Sequence, residues 1–350
     1  MMGTILWTSL ALAWPVLGES GRPTGREVDA HAVFVAAELP PLPVRTDPAA
    51  LGRVARRTAN ALRACARPVR CQQVGVFGEL GVEFERVIRT LELVADTADE
   101  DRISGQSRLT DPEWLREHFE VFRWHPDQDA AASRKVTVTE SSIRLTKYLV
   151  YQVSGSPTRT DTYDTALYGT VGDGGAWTSY TRIDAFAGTF EPGGEGHGML
   201  TPMVYLTREG VNQALMQGTV EVTLPDGVTK LFNVHRNNGI AWNPAERDGN
   251  KQERYWTFQE QPGIVGVEGV LLEPGASVAG DIHNVGFGKL VALHTDDGMR
   301  LAVLADTGGA FQPNLFQLDW LAGTFPTHAA YVKGVAHLPK RVEASVLVAR

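Results

Sequence analysis

Apolar positions along this chain follow two rhythms. In the front half the spacing is helical: Phe84, Val87, Ile88 and Leu91 stand at i, i+3, i+4 and i+7, one face of a packed helix. Asp47-Pro48, just after the proline-rich Leu39-Pro40-Pro41-Leu42-Pro43, marks the start of another helix. Asp111-Pro112 predicts an N-cap and a first helical residue, and Leu115, His118, Phe119 and Phe122 repeat the helical spacing behind it. On that face His118 reads as a core histidine rather than a ligand.

After about Lys135 the period falls to two. Val136/Val138 and Ile143/Leu145 alternate with polar neighbours, as half-buried strands do. Thr219–Leu224 alternates likewise, Pro225-Asp226-Gly227 is a turn, and Val228–Val234 completes a hairpin. Further strands are predicted at Lys289–Leu293, Met299–Ala305 and Val342–Val348, with Asp296-Asp297-Gly298 as a hairpin turn. The 36 glycines and 19 prolines supply many turns. The fold class is therefore mainly β with an α-helical N-terminal part, closer to barrels than to a doubly wound parallel sheet. A length of 350 residues suits about two domains.

Charge and composition narrow the chemistry. A net charge of −8 is a poor footprint for a nucleic-acid binder. Residues 22–70 carry nine arginines against four acids, which reads as a solvated helix face. The two cysteines, Cys65 and Cys71, cannot build a four-thiolate zinc site; they are either a small-loop disulfide or two buried thiols. Ile5–Leu17 is a 13-residue apolar run, too short to span a bilayer and suited to a signal peptide over residues 1–19, although MMGT lacks a basic residue. No cysteine follows it before Cys65, so a lipid anchor there is not expected. The nine histidines form no H-E-x-x-H pair, and neither a G-x-S-x-G elbow nor a P-loop occurs. Glu191–Gly198 is a glycine-rich surface loop without a phosphate-binding context. No metal and no cofactor are expected.

One segment stands apart. An apolar strand, Leu301–Ala305, runs into Asp306-Thr307-Gly308-Gly309-Ala310, and a second carboxylate, Asp319, follows among Leu318, Trp320 and Phe325. Two strand-end carboxylates joined by a Gly-Gly loop can meet in one cleft, and an apolar setting raises a carboxyl pKa, as a general acid requires. The plainer reading is an Asp306 that bonds loop amides to hold the turn, and for Asp319 the two readings stand level.

Asp306-Thr307-Gly308-Gly309-Ala310 with Asp319-x-x-x-Gly323 resembles the D-T-G-G-A-I-x-G and D-x-F-x-G motifs of the membrane-bound lytic murein transglycosylase A family. Pro274-Gly275-x-Ser277-x-Ala279-x-Asp281, then Gly288, is similar to that family's P-G-x-S-x-A-x-D element. Met216-Gln217-Gly218-Thr219, Asp226-Gly227 and Asn238-Gly239-x-x-Trp242 parallel its V-Q-G-S-G, D-G and N-G-x-x-Y series. Thr146-x-Tyr148, Gly155-Ser156 and Arg159 stand where it has T-G-Y-Y-x-P and G-S-x-x-R, and Tyr180–Ala185 where it has L-T-R-x-x-I-x-x-G. The likeness runs in one order from about residue 80 to 335. The departures are Lys147, Leu149 and Tyr151 in the first motif, Val220 for a glycine, and Gln312-Pro313 for Lys-Gly.

The resemblance implies a double-psi β-barrel of the Asp-Asp-Asp type, formed by residues 20–152 and 263–350, with a smaller β domain inserted at 153–262 and glycan held between them. It implies cleavage of the β-1,4 MurNAc–GlcNAc bond of peptidoglycan with formation of 1,6-anhydro ends. Asp319 would act as acid and then base. Asp306, Asp281, Thr307, Gly308 and Gly309 would support it. Thr146, Tyr148, Gln217, Gly218, Asn238, Gly239 and Trp242 would line the glycan site. The implied setting is the cell envelope of a Gram-negative-type bacterium, as a monomer, with peptidoglycan strands and other cell-wall enzymes as partners. The departures keep open a catalytically inactive, carbohydrate-binding barrel, and shared topology keeps open a cellulase-like or expansin-like relative.

Overall fold

A computed structural model describes residues 13–18, 20–65, 74–172, 174–243, 245–308, 311 and 313–350. The strands are, in order, β1 (Ala13–Leu17), β2 (Pro23–Asp29), β3 (Phe34–Ala37), β4 (Phe119–Trp124) and β5 (Ile143–Ser154). Then come β6 (Thr165–Thr170), β7 (Leu200–Leu206), β8 (Thr219–Thr223), β9 (Thr229–Asn237) and β10 (Trp256–Gln261). The last are β11 (Ser277–Ala279), β12 (Leu290–Thr295), β13 (Gly298–Asp306), β14 (Gln317–Phe325) and β15 (Arg341–Ala349). The chain divides into two compact units: one of residues 1–147, 266–322 and 336–350, the other of residues 148–265 and 323–335.

The first unit contains a closed circuit of strands. β14 pairs antiparallel with β11, β11 parallel with β13, β13 antiparallel with β12, and β12 antiparallel with β15. β15 then meets β5 at Arg341–Arg144 and Val342–Ile143, and β5 returns to β14 where the Arg144 N–H donates to the Phe316 carbonyl. Six strands so joined leave no free edge inside the circuit, which makes it barrel-like. β12 and β13 are buried almost throughout, so they read as continuous apolar runs (Leu-Val-Ala-Leu, then Leu-Ala-Val-Leu-Ala) without alternation.

Two long helices belong to this unit. Pro48–Ala64 starts where expected, with the Asp47 carboxylate accepting from the Ala49 N–H and proline in the first turn. Phe84–Ser104 buries Val87, Ile88 and Leu91, as the spacing predicts, and ends at Gly105 in the left-handed region. Gly52 lets the two approach: a Cβ there would lie 2.4 Å from the Ala98 Cβ. The basic face of the first helix is a set of ion pairs: part-buried for Arg57 with Glu273, exposed for Arg53 with Glu273, Arg56 with Asp96 and Asp99, and Arg63 with Glu92. Cys65, which closes this helix, is disulfide-bonded, and the chain's other cysteine lies outside the described residues.

Two expectations fail here. The Asp111-capped helix stops at His118, and Phe119 and Phe122 lie on β4, not on a helix face. The run Phe-Glu-Val-Phe-Arg-Trp is rich in aromatic and β-branched residues, and pairing with both β15 and β3 outweighs the local spacing. His118 is only half-buried, stacked on Trp114 with Nδ1 2.8 Å from the Trp114 carbonyl, so it is not a core residue. Val136 and Val138 are in no strand; they pack against Ala130, Ala131 and Phe316 from an irregular segment.

In the second unit, β8 and β9 form the predicted hairpin, with Gly227 at φ 82° in its turn. β10 extends β9, and the latter part of β5 runs parallel to β8. β6 and β7 make a separate antiparallel pair. Their core gathers Tyr168, Trp177, Phe190, Phe232, Tyr255 and Phe258. No helix among the described residues is long and apolar enough to cross a membrane.

Candidate active site

Register brings the two carboxylates of the singular segment together. Ala279 of β11 stands opposite Asp306 of β13 on one side and Asp319 of β14 on the other. Two strand spacings of about 4.8 Å put the two backbones about 10 Å apart. From there the side chains converge closely enough for the charge of Asp306 to act on Asp319.

The surroundings of Asp319 favour its protonated form. Burial pushes its carboxyl up to about 6; Asp306 adds to the rise, while the Thr146 hydroxyl, Arg144 and Lys147 oppose it. Its Oδ1 is buried and has no hydrogen-bond partner among the described residues. An unpaired buried carboxylate oxygen is costly to a fold and is a mark of functional sites. Thr146 is fixed beside it, donating to the Leu318 carbonyl at 3.3 Å and accepting from Gln317 Nε2 at 3.1 Å.

Asp306 holds the turn that follows it. Its Oδ1 accepts from the Thr307 N–H at 2.8 Å, its carbonyl accepts from Gly280, and the Thr307 hydroxyl donates to the Gly280 carbonyl. Gly308 closes the next turn, its carbonyl accepting from the Phe311 N–H. Gly309, with Ala310 and Gln312, lies outside the described residues.

Asp281 is fully buried and committed to structure. Its Oδ1 caps the tight turn Ile282–Gly286 by accepting from the His283 and Asn284 N–H groups. Its Oδ2 accepts from Asn284 Nδ2 at 2.7 Å and from the Asn314 N–H at 2.6 Å. Burial pushes this carboxyl up against the pull of those four donors. Because Asn314 lies between Asp306 and Asp319, Asp281 fastens their connecting loop to the barrel. Asn284 is a residue the sequence did not single out. Its Oδ1 also accepts from the Leu17 N–H and the Trp14 indole of β1, and its Nδ2 donates to the Leu17 carbonyl. So part of the apolar N-terminal run is a paired strand in this structure.

The residues expected to face glycan are in the second unit, apart from Thr146. Gln217 ends the helix Arg208–Gln217, and Gly218 caps it at φ 80°, its N–H donating to the Ala214 carbonyl. Asn238 is buried: Nδ2 donates to the Tyr180 and Glu253 carbonyls, and Oδ1 accepts from Tyr255 and Ile240. It is a loop organiser, with Gly239 next to it at φ 77°. The Val234 N–H donates to the Gly218 carbonyl, so Asn238 lies four residues farther along, roughly 13 Å from Gly218. Trp242 is 47% exposed, a free aromatic face of the kind that stacks on a sugar ring. Tyr148, half-buried, opens this unit on β5. Among the described residues no group of His, Cys, Asp or Glu could hold a metal ion.

No family model matches the sequence, and no curated protein matches it. Solved structures do match the fold. A membrane-bound lytic murein transglycosylase from Agrobacterium tumefaciens superposes with a TM-score of 0.59 at 18% identity, over 87% of this chain and 93% of that one. E. coli MltA with bound chitohexaose gives 0.59 at 14% identity, over 91% and 94%. MltA from Neisseria gonorrhoeae gives 0.59 at 13% identity, over 96% of each chain. The chain therefore has the fold of these lytic transglycosylases as a divergent example.

Proposed function

We propose that this chain is a peptidoglycan lytic transglycosylase that cuts the β-1,4 bond between MurNAc and GlcNAc, with Asp319 as its catalytic residue. The carrying observation is Asp319 itself: a buried carboxyl with one oxygen uncommitted and a proton affinity near neutrality, inside a fold shared with lytic transglycosylases. With a pKa of about 6, about a tenth of the molecules carry the proton at pH 7. Such a group can donate to the glycosidic oxygen and then accept from the sugar's own C6 hydroxyl.

That intramolecular nucleophile removes the need for the second carboxylate that a water-activating glycosidase requires. Asp306 has two roles in this scheme. Its negative charge favours the protonated form of Asp319 before cleavage, and its bonds with the Thr307 and Gly280 N–H groups hold the loop. Asp281 acts at a distance through Asn314. Trp242, Tyr148 and Gln217 offer aromatic and amide surface to sugar rings and hydroxyls, whereas Asn238 and Gly239 shape the loop that presents Trp242. In this reading the six-strand circuit is a double-psi barrel, the inserted β domain spans 153–262, and the protein works as a monomer in the cell envelope after export.

The decisive experiment is digestion of purified sacculi by wild type and Asp319→Asn, with products identified by mass spectrometry. Anhydro-muropeptides from wild type and none from a folded Asp319→Asn are expected. Parental release by the variant overturns the assignment, and hydrated reducing ends identify a lysozyme-like hydrolase instead. The departures at Lys147, Leu149, Tyr151 and Val220 support a second reading, a carbohydrate-binding barrel without catalysis. It would retain sacculus binding and yield no soluble product.

A further inference from the structure

The run Ile5–Leu17 has the length of an export leader, yet its last residues are built into the first unit. β1 pairs antiparallel with β2, and β2 has no other strand partner among the described residues. Val16 and Leu17 are buried. The Thr24 hydroxyl donates to the Val16 carbonyl and the Gly18 N–H to the Arg22 carbonyl, closing the hairpin. Its docking point is Asn284, fully buried in the turn Ile282–Gly286. A side-chain amide has two N–H donors and two acceptor lone pairs, and here all four are used. β1 fills three of them: Oδ1 accepts from the Leu17 N–H at 2.7 Å and the Trp14 indole at 3.0 Å, and Nδ2 donates to the Leu17 carbonyl at 2.8 Å. The fourth goes to Asp281 Oδ2 at 2.7 Å, the same oxygen that accepts from the Asn314 N–H.

We propose that Trp14–Leu17 is a permanent strand of the working protein, a latch that Asn284 and Asp281 connect to the loop between Asp306 and Asp319. A cut after Leu17 would leave Asn284 three bonds short and β2 without a strand beside it. Asp281 would then lose the fixed donor that orients its Oδ2 towards Asn314. Any leader removed on export therefore ends before Trp14, ahead of the boundary at residue 19 that the apolar run alone suggests. Local sequence agrees with a strand: Pro15 is costly inside a helix and acceptable in the edge position that β1 occupies. Asn284 is a positioning residue in this scheme, acting on the loop through Asp281. The latch is built from contacts within the folded chain and does not depend on the lytic transglycosylase reading.

The test is site-resolved hydrogen exchange on the full-length protein and on a form that begins at Gly18 after an initiating methionine. The Asn314 N–H is expected to exchange about tenfold faster in the shortened form, the effect of one or two lost hydrogen bonds. Amides of β12 and β15, in the same unit, are expected to keep their parental rates. An unchanged Asn314 rate overturns the proposal, and so does an equal acceleration in β12 and β15, which marks general loosening instead of a relay. If the shortened form does not fold, Trp14→Phe, which removes only the indole N–H from Asn284, is measured in its place. Exchange at Asn314 about threefold faster is then expected, and a parental rate is decisive against the latch. Intact mass spectrometry of the protein recovered from the periplasm of a Gram-negative host should find an N-terminus at or before Trp14. Folded periplasmic protein that begins between Pro15 and Ser20 overturns retention of the strand. Neither measurement uses substrate, so an inactive parent would defeat the enzymatic reading and leave the latch measured.

Discussion

Lys289 should destabilise this protein at neutral pH. It precedes β12, is 2% exposed, and its Nζ lies 5.2 Å from the Phe77 ring centre with no hydrogen-bond partner among the described residues. Burial alone pulls the amine from 10.5 down to about 7. Between those values the unfolded chain binds the proton and the folded one does not, so stability falls as pH drops from 10.5 towards 7 and levels off below. At 1.36 kcal/mol for each pH unit, carrying this lysine costs about 4 kcal/mol at pH 7 and about 2 kcal/mol at pH 9. Lys289→Met fills similar volume, needs no proton, and sets sulfur against the Phe77 ring. Urea denaturation followed by tryptophan fluorescence should find the variant more stable by about 4 kcal/mol at pH 7, with the advantage halved at pH 9. A variant less stable than its parent at pH 7, or an advantage that does not shrink with pH, would refute the reasoning.

Asp306→Asn removes the negative charge that favours the acid form of Asp319, so the alkaline limb of sacculus digestion should move to lower pH. Asp281→Ala leaves four buried donors unpaired and should lower stability by on the order of 3 kcal/mol in urea denaturation. Gly286→Ala would place a Cβ 2.7 Å from both Lys289 Nζ and the Val74 carbonyl at φ 97°; a lowered melting temperature by calorimetry is expected, and an unchanged one contradicts the packing. Trp242→Ala should weaken sacculus pull-down at constant melting temperature, because the ring is half-exposed and its loss opens no core.

Elements that depend on their own residues were legible in the sequence. Asp47 and Asp111 cap helices through hydrogen bonds two residues long, and the 219–234 hairpin carries its turn within itself. What depends on distant partners was not. Phe119 and Phe122 kept a helical spacing, yet β15, more than two hundred residues later, draws them into a sheet. Asp306 and Asp319 stood out because an apolar strand ends in a carboxylate and a Gly-Gly pair, but their meeting across Ala279 is a matter of register between three strands. Asn238 shows the reverse error in kind: a motif residue whose amide is wholly spent on its own loop. Asn284 carried no pattern of its own, since an asparagine in a turn has meaning only through what it touches.

The position of Ala279 also bears on how such a protein can change over generations. The gap between Asp306 and Asp319 is gauged by a strand's width and not by the peptide that connects them. Residues between Gly308 and Pro313 can therefore be added or lost, provided Thr307 still bonds Gly280, Asn314 still finds Asp281, and Leu315 and Phe316 keep their partners. Drift in that connection alters what the site touches while leaving its two carboxylates at the same separation. Enlarging Ala279 would do the opposite, wedging the pair apart with every loop residue intact.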